Sequence, residues 1–139
     1  MSSSPQHPRG LLDTSVVIAL PSLTDPSALP AQSLICAITL AELSVGPLVT
    51  TAAGERAARQ ATLQQAEADF DALPFDDRAA RAFGRVAASM RRKGRKVRAR
   101  SYDAMIAAVA IAHDLPLYTS NPGDFAGIDG LVVVPVTPV

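Results

Sequence analysis

Short apolar runs that stop abruptly at polar or acidic residues set the limits on what this chain can fold into. Leu11-Leu12 is halted by Asp13-Thr14-Ser15, and the apolar run resumes as Val16-Val17-Ile18-Ala19-Leu20. Asp, Thr and Ser start helices well and sit badly in a central strand. A buried strand ending at Asp13, followed by a short helix, therefore accounts for the pattern better than one long strand. Ser33 to Ile38 reads as a second buried strand, Ala72 to Phe75 as a weak third, Leu117-Tyr118-Thr119 as a fourth and Leu131 to Val134 as the last. Pro21 to Pro30, dense in Pro, Ser and Asp, is a loop or a broken helix. Helical patterns begin at Thr39, run from about Ala52 to Phe70, extend from a cap at Asp76 or Asp77 to about Lys93 before Gly94, and cover Ser101 to Asp114. Strands that are apolar throughout and alternate with helices predict a parallel sheet covered on both faces.

The 139 residues suit one α/β domain, and 48% hydrophobic with 19% charged residues excludes a disordered chain. Aromatics are only 4% and tryptophan is absent, so the core must be built from Ala, Val, Leu and Ile, which suits close helix–sheet packing. Residues 1–9, rich in Ser and Pro, read as a flexible lead-in and 10–139 as a single domain. The one cysteine, Cys36, cannot form an internal disulfide and lies in an apolar run, which predicts a buried, inert thiol. No leader-type hydrophobic segment opens the sequence and no apolar stretch approaches ~20 residues, so a soluble cytoplasmic protein with no membrane partner is expected.

In a parallel sheet the functional crevice lies beyond the carboxyl ends of the strands. Asp13 ends the first strand, Asp124 follows the strand ending at Thr119, and Glu42 is expected in the first turn of the helix after the second strand. Asp103 stands in the first turn of the helix leading to Leu117, and reaches the same edge if that helix runs antiparallel to the strands. Each acid alone has a structural explanation. Asp13 can cap a helix, Thr39-x-x-Glu42 is a capping-box pattern, Asp103 suits the positive end of a helix, and Asp124 suits a turn. Four at one edge are harder to dismiss. Two carboxylates ~4 Å apart repel by about 1 kcal/mol in water and about 4 kcal/mol at an effective dielectric near 20. Such pairs need proton uptake or a hard divalent cation, and oxygen ligands without His or Cys suit Mg²⁺ or Mn²⁺ rather than zinc. The histidines, His7 and His113, form no ligand pair.

These features together resemble the PIN-domain ribonucleases, in particular the VapC-type toxins of bacterial toxin–antitoxin pairs. The matching segments, in the family's order, are Leu11-Leu12-Asp13-Thr14-Ser15-Val16, Thr39-Leu40-Ala41-Glu42-Leu43, Asp103-Ala104-Met105-Ile106-Ala107-Ala108, and Thr119-Ser120-Asn121 with Asp124-Phe125. They span about Leu11 to Val136. The resemblance implies a three-layer α/β/α fold with a mainly parallel sheet of four to five strands. It places the family's acidic quartet on Asp13, Glu42, Asp103 and Asp124, as catalytic residues and metal ligands, and its small hydroxyl or amide positions on Ser15, Thr119 and Asn121, which would orient ligands or water. It further implies a Mg²⁺-dependent endoribonuclease (Mn²⁺ serving as well) that hydrolyses RNA with a metal-activated water, inhibited by a cognate antitoxin and commonly homodimeric.

Net charge is zero, but Arg91, Arg92, Lys93, Arg95, Lys96, Arg98 and Arg100 gather seven of the 13 basic residues with no acid among them. A solvated connection between helices is one reading. A phosphate-binding lip upstream of Asp103, able to hold RNA or to meet acidic residues of an antitoxin, is the other. Rival functions fare worse. An aspartyl-nucleophile phosphatase needs a second acid where Ser15 stands, and a serine hydrolase needs a Gly-x-Ser-x-Gly that is absent. The competing class is a PIN-like module that binds RNA or an antitoxin without turnover.

Overall fold

A computed structural model of the chain describes residues 6–137. Five strands form one sheet: β1 (Arg9–Leu12), β2 (Gln32–Cys36), β3 (Ala72–Leu73), β4 (Leu117–Thr119) and β5 (Val133–Pro135). Their order is β3-β2-β1-β4-β5 and every pairing is parallel. The principal helices are α1 (Thr14–Ala19), α2 (Ala37–Val45), α3 (Ala53–Asp69), α4 (Asp77–Arg92) and α5 (Ser101–Ala112). No helix among the described residues is long and apolar enough to cross a membrane.

Successive residues of a strand point to opposite faces, and the core divides accordingly. Leu11, Leu34, Cys36 and Leu117 bury themselves against α4 and α5, while Leu12, Ile35, Tyr118 and Val134 pack with Val16, Val17, Leu43 and Ala66 of α1, α2 and α3. Three layers result, as the apolar strands predict. Helix α5 is the central one: Ala104, Ile106, Ala107, Ala108, Val109 and Ala110 are all wholly buried. Its alanines allow a backbone approach that larger side chains would prevent, so the small-residue core is realised mainly here. Cys36 is buried, and burial pushes its thiol pKa up, consistent with an inert group.

Several boundaries move from their sequence positions. Residues 1–5 of the expected lead-in lie outside the described residues, and Arg9 already belongs to β1. The His7 and Pro8 carbonyls accept from the Ala31 and Gln32 N–H groups, so the sheet's hydrogen bonding begins before the strand proper. The stretch Pro21–Pro30 is a broken helix in effect, made of the 3₁₀ turns Leu20–Ser22 and Pro26–Ala28. β2 stops at Cys36, so Ala37 and Ile38 belong to α2 rather than to the strand. β5 begins two residues beyond the expected start, at Val133.

Gly10 lies where β1 passes the buried Tyr118 ring. A Cβ there would stand 2.5 Å from Tyr118 Cε1, 2.8 Å from Cδ1 and 3.0 Å from Pro30 Cγ. Tyr118 is only 1% exposed and has nowhere to retreat. Gly10→Ala is therefore expected to destabilise the fold by about 1–3 kcal/mol in urea unfolding, the usual cost of overpacking. A change within about 0.5 kcal/mol, the range of neutral surface substitutions, would show that the ring yields.

Candidate active site

All five strands are parallel, so their carboxyl ends share one edge and the helices that follow them begin there. Asp13 is the residue after β1 and the N-cap of α1. Its Oδ1 accepts the Thr14 N–H at 2.8 Å, so the capping role expected from sequence is real. Oδ2 does something else. It accepts the Ser15 hydroxyl at 2.9 Å and the Thr119 hydroxyl, from the end of β4, at 2.8 Å. Asp13 is 5% exposed, and its carboxylate is held from both sides. Ser15 Oγ in turn accepts the Ser120 N–H at 3.1 Å, and Thr119 Oγ1 accepts the Asn121 N–H at 3.0 Å, which ties the loop after β4 to the end of β1. Two of the three orienting residues expected from sequence, Ser15 and Thr119, thus hold Asp13 directly. Asn121 contributes through its backbone. Its side chain is exposed and makes no hydrogen bond among the described residues.

Glu42 needs a correction. α2 starts at Ala37 with Cys36 as N-cap and no side-chain capping bond, so Glu42 lies in the second turn and the Thr39–Glu42 capping box does not form. The Thr14 hydroxyl donates to Glu42 Oε1 at 2.8 Å and lies 3.0 Å from the fully buried Thr39 hydroxyl. What looked like a local cap is a tertiary tie between α1 and α2. Thr14 and Thr39 are the site residues that sequence reading missed. The hydroxyl beside Asp13 was the available signal, but helix-start propensity explained it equally well.

Asp103 stands in the first turn of α5, which runs antiparallel to the strands and starts at their carboxyl edge. Asp124 lies in the 3₁₀ turn Pro122–Phe125 after β4. Arg100 joins them: its Nη1 is 2.9 Å from Asp124 Oδ1 and 3.9 Å from Asp103 Oδ2. Asp103 feels the charges of the other three acids. Burial, then the charges of Asp13, Asp124 and Glu42, push the Asp103 carboxyl up to about 6, against the opposing pull of Arg100. Burial foremost, with the Asp13 charge adding to it, also raises the Glu42 carboxyl, while the Thr14 hydrogen bond works the other way. All four predicted acids therefore converge on one edge.

The basic run divides in two. Arg92 and Lys93 reach Asp129 at 2.6 and 3.2 Å, and Lys93 also donates to the Gly127 carbonyl at 2.8 Å. Arg95 donates to the carbonyls of Gly123, Asp124 and Ala126 at 2.9 to 3.0 Å. These three residues fasten the loop that bears Asp124, with Arg95 as its clamp and Arg100 holding the carboxylate itself. Arg91, Lys96 and Arg98 are exposed and form no ion pair among the described residues.

Residues 10–131, from the first strand to the approach to the last, match the PIN domain family. The chain is a PIN-domain protein. It is 41% identical over 138 residues to the ribonuclease VapC5 of Mycobacterium tuberculosis, a match covering 98% of each chain. The VapBC-5 toxin–antitoxin structure from Mycobacterium tuberculosis superposes with a TM-score of 0.80 at 37% identity, covering 93% of this chain and 99% of that one. A toxin–antitoxin complex from Klebsiella pneumoniae does so with a TM-score of 0.59 at 30% identity, covering 88% and 95%. These likenesses put this PIN-domain chain among the VapC-type ribonuclease toxins, and the resemblance read from its sequence holds.

PIN nucleases are typically metal-dependent, and the donor set here fits a hard divalent cation. It is made of carboxylates and hydroxyls, with no imidazole or thiolate that would favour zinc. Among the described residues no three acids close into a ready cage.

Proposed function

We propose that this PIN-domain ribonuclease hydrolyses RNA phosphodiesters at the edge formed by Asp13, Glu42, Asp103 and Asp124, with Mg²⁺ or Mn²⁺ as cofactor. The observation behind the reading is the gathering of four carboxylates at one sheet edge, with Asp103 pushed up to about 6 and Glu42 raised, each chiefly by burial. Such a group is costly unless it binds cations or protons. A divalent ion bound there would supply an activated water and offset charge on the reacting phosphate.

The chain's own residues set the conditions for that chemistry. Asp13 is the most rigid of the four, because its carboxylate is fixed at the end of a central strand by three hydrogen bonds. Carboxylate oxygens accept about four bonds in all, so Asp13 retains capacity for a ligand. Thr14 fixes Glu42. Asp124, on a loop and paired with Arg100, is the acid most able to exchange partners. Arg91, Lys96 and Arg98 supply positive charge for the RNA backbone, the part of the basic lip that the fold leaves unpaired among the described residues.

The second part of the reading is control by an antitoxin protein. Solved relatives are toxin–antitoxin assemblies. Here Ile18, Val45, Leu48 and Val49 are exposed apolar side chains on α1, α2 and the turn beyond, and Leu48 is 84% exposed. A groove of about 400 Å³ runs from Glu42 past Ile18 to Thr62. A partner covering that surface would bury apolar area and lie beside Glu42, one of the four acids.

Incubating the purified protein with cellular RNA and Mg²⁺ or Mn²⁺, then sequencing new RNA 5′ ends, tests the catalytic reading. Discrete cleavage that disappears with EDTA is the expected result. RNA binding without cleavage under either metal would make the chain a binding module instead.

A further inference from the structure

Beside the acids a second, more open cleft of about 370 Å³ is lined by Glu42, Arg98, Arg100, Ser101, Tyr102 and Asp103. The cleavage chemistry accounts for Glu42, Asp103 and Arg100. It does not account for Tyr102, a large ring left 49% exposed at the start of α5, next in sequence to Asp103. Nor does it account for Arg98, which is exposed and forms no ion pair among the described residues, although Arg92, Lys93 and Arg100 nearby all do. An aromatic face and a free guanidinium flanking one cleft are the two components that recognise a single-stranded nucleotide: the ring stacks on a base and the cation holds a phosphate. The cleft volume lies within the ~300–1,000 Å³ typical of ligand pockets.

We propose that this cleft is a nucleotide subsite, in which the Tyr102 ring stacks on the base next to the scissile phosphate while Arg98 holds the adjoining backbone. The proposal rests on the ribonuclease reading of the neighbouring acids and adds where the substrate strand lies. Every base has a stacking face, so the subsite selects for unpaired RNA more than for sequence. It also orients the strand. The base at Tyr102 must be unstacked from its neighbour, which keeps the backbone extended past Asp103 into the carboxylate cluster. An RNA duplex, with its bases stacked inside, cannot use the site without local opening.

The composition makes the test direct. The chain has no tryptophan and two tyrosines, and Tyr118 is 1% exposed, so a ligand that changes tyrosine emission reports on Tyr102. A short mixed-sequence single-stranded RNA is titrated into the cleavage-blocked Asp13→Asn protein with Mg²⁺, following tyrosine fluorescence and RNA anisotropy together. Quenching is expected, and is lost when Tyr102→Phe is added while affinity is retained. Tyr102→Ala is expected to weaken binding by about 5- to 150-fold, the range for base stacking on aromatic side chains. Arg98→Gln should lower the salt slope by about 0.7, one phosphate's worth for a single strand. In the active chain, Tyr102→Ala should raise KM more than it lowers kcat. Equal affinity in Tyr102→Ala, or RNA binding that leaves tyrosine emission unchanged, overturns the subsite while leaving the ribonuclease reading intact. Failure of the unmodified chain to cut RNA with either metal counts against that underlying reading instead.

Discussion

Asp13→Asn is expected to abolish RNA cleavage, by on the order of 10³-fold or more, without lowering stability. The size follows from the several kcal/mol that charge stabilisation at a metal site supplies, at about 1.4 kcal/mol per tenfold in rate. The stability expectation follows from geometry. An Asn oxygen can still accept the Thr14 N–H, which Asp13 Oδ1 receives at 2.8 Å, so the α1 cap survives. Removing one of four crowded negative charges also relieves Asp103, which the Asp13 charge pushes toward the neutral form. With its oxygen on the Thr14 N–H, the amide presents an NH₂ where Oδ2 accepts the Ser15 and Thr119 hydroxyls at 2.9 and 2.8 Å, and it can accept neither, which offsets that gain. Thermal melts and single-turnover cleavage on the same preparation separate the two effects. Cleavage within tenfold of the parent would refute the central role given to this residue.

The second large effect is a reversal of the pH dependence of stability when a divalent cation is added. Asp103 is raised to about 6, chiefly by burial and then by its acidic neighbours. A carboxyl that binds its proton more tightly folded than unfolded contributes stability that is complete below about pH 4 and lost as pH rises through about 6. Glu42, raised chiefly by burial, acts in the same direction. For Asp103 the rise is equivalent to at most about 3 kcal/mol. Its side chain is 27% exposed, and solvent screening reduces the expected loss to on the order of 1–2 kcal/mol. The metal-free protein should therefore lose several degrees of Tm between about pH 4.5 and 7 from this site. A cation replaces the proton as the neutralising charge and favours the ionised acids. Saturating Mn²⁺ should thus raise Tm most near neutrality, by about 2.7 kcal/mol of stability at a hundred times its Kd, and progressively less below about pH 6. A Tm indifferent to both Mg²⁺ and Mn²⁺ near neutrality would exclude the metal role.

The two tests interlock through the same residues. In Asp13→Asn the pH-dependent loss of stability should shrink, because a charge that raises both Asp103 and Glu42 has gone. A cleavage defect with an unaltered Asp103 titration, followed by NMR, would mean that Asp13 acts without electrostatic contact with its neighbour.

Much of this was legible in the sequence because it depends on local chemistry. Apolar strands without alternation can be satisfied only by a sheet buried on both faces, and the structure has five parallel strands between helical layers. Parallel strands in turn place strand-end residues at one edge, so Asp13 and the residues after β4 could be located from strand boundaries alone. Even Gly94, expected to end a helix, takes the positive φ of 73° that lets it do so.

What the sequence left open depends on which element lies beside which. Thr39 and Glu42 have the spacing of a capping box, and only the packing of α1 against α2 shows that both face Thr14 instead. The basic run reads as one uniform patch. Only the position of the turn after β4 separates Arg95 and Arg100, which hold that turn, from Arg98, which faces solvent. Local propensity fixes helices, strands and their order along the chain, because those choices involve near neighbours. Hydrogen-bond partners more than twenty residues apart are set by the packing of whole layers, and there the tertiary structure alone decides which acid is held, which is neutralised and which stays free to bind.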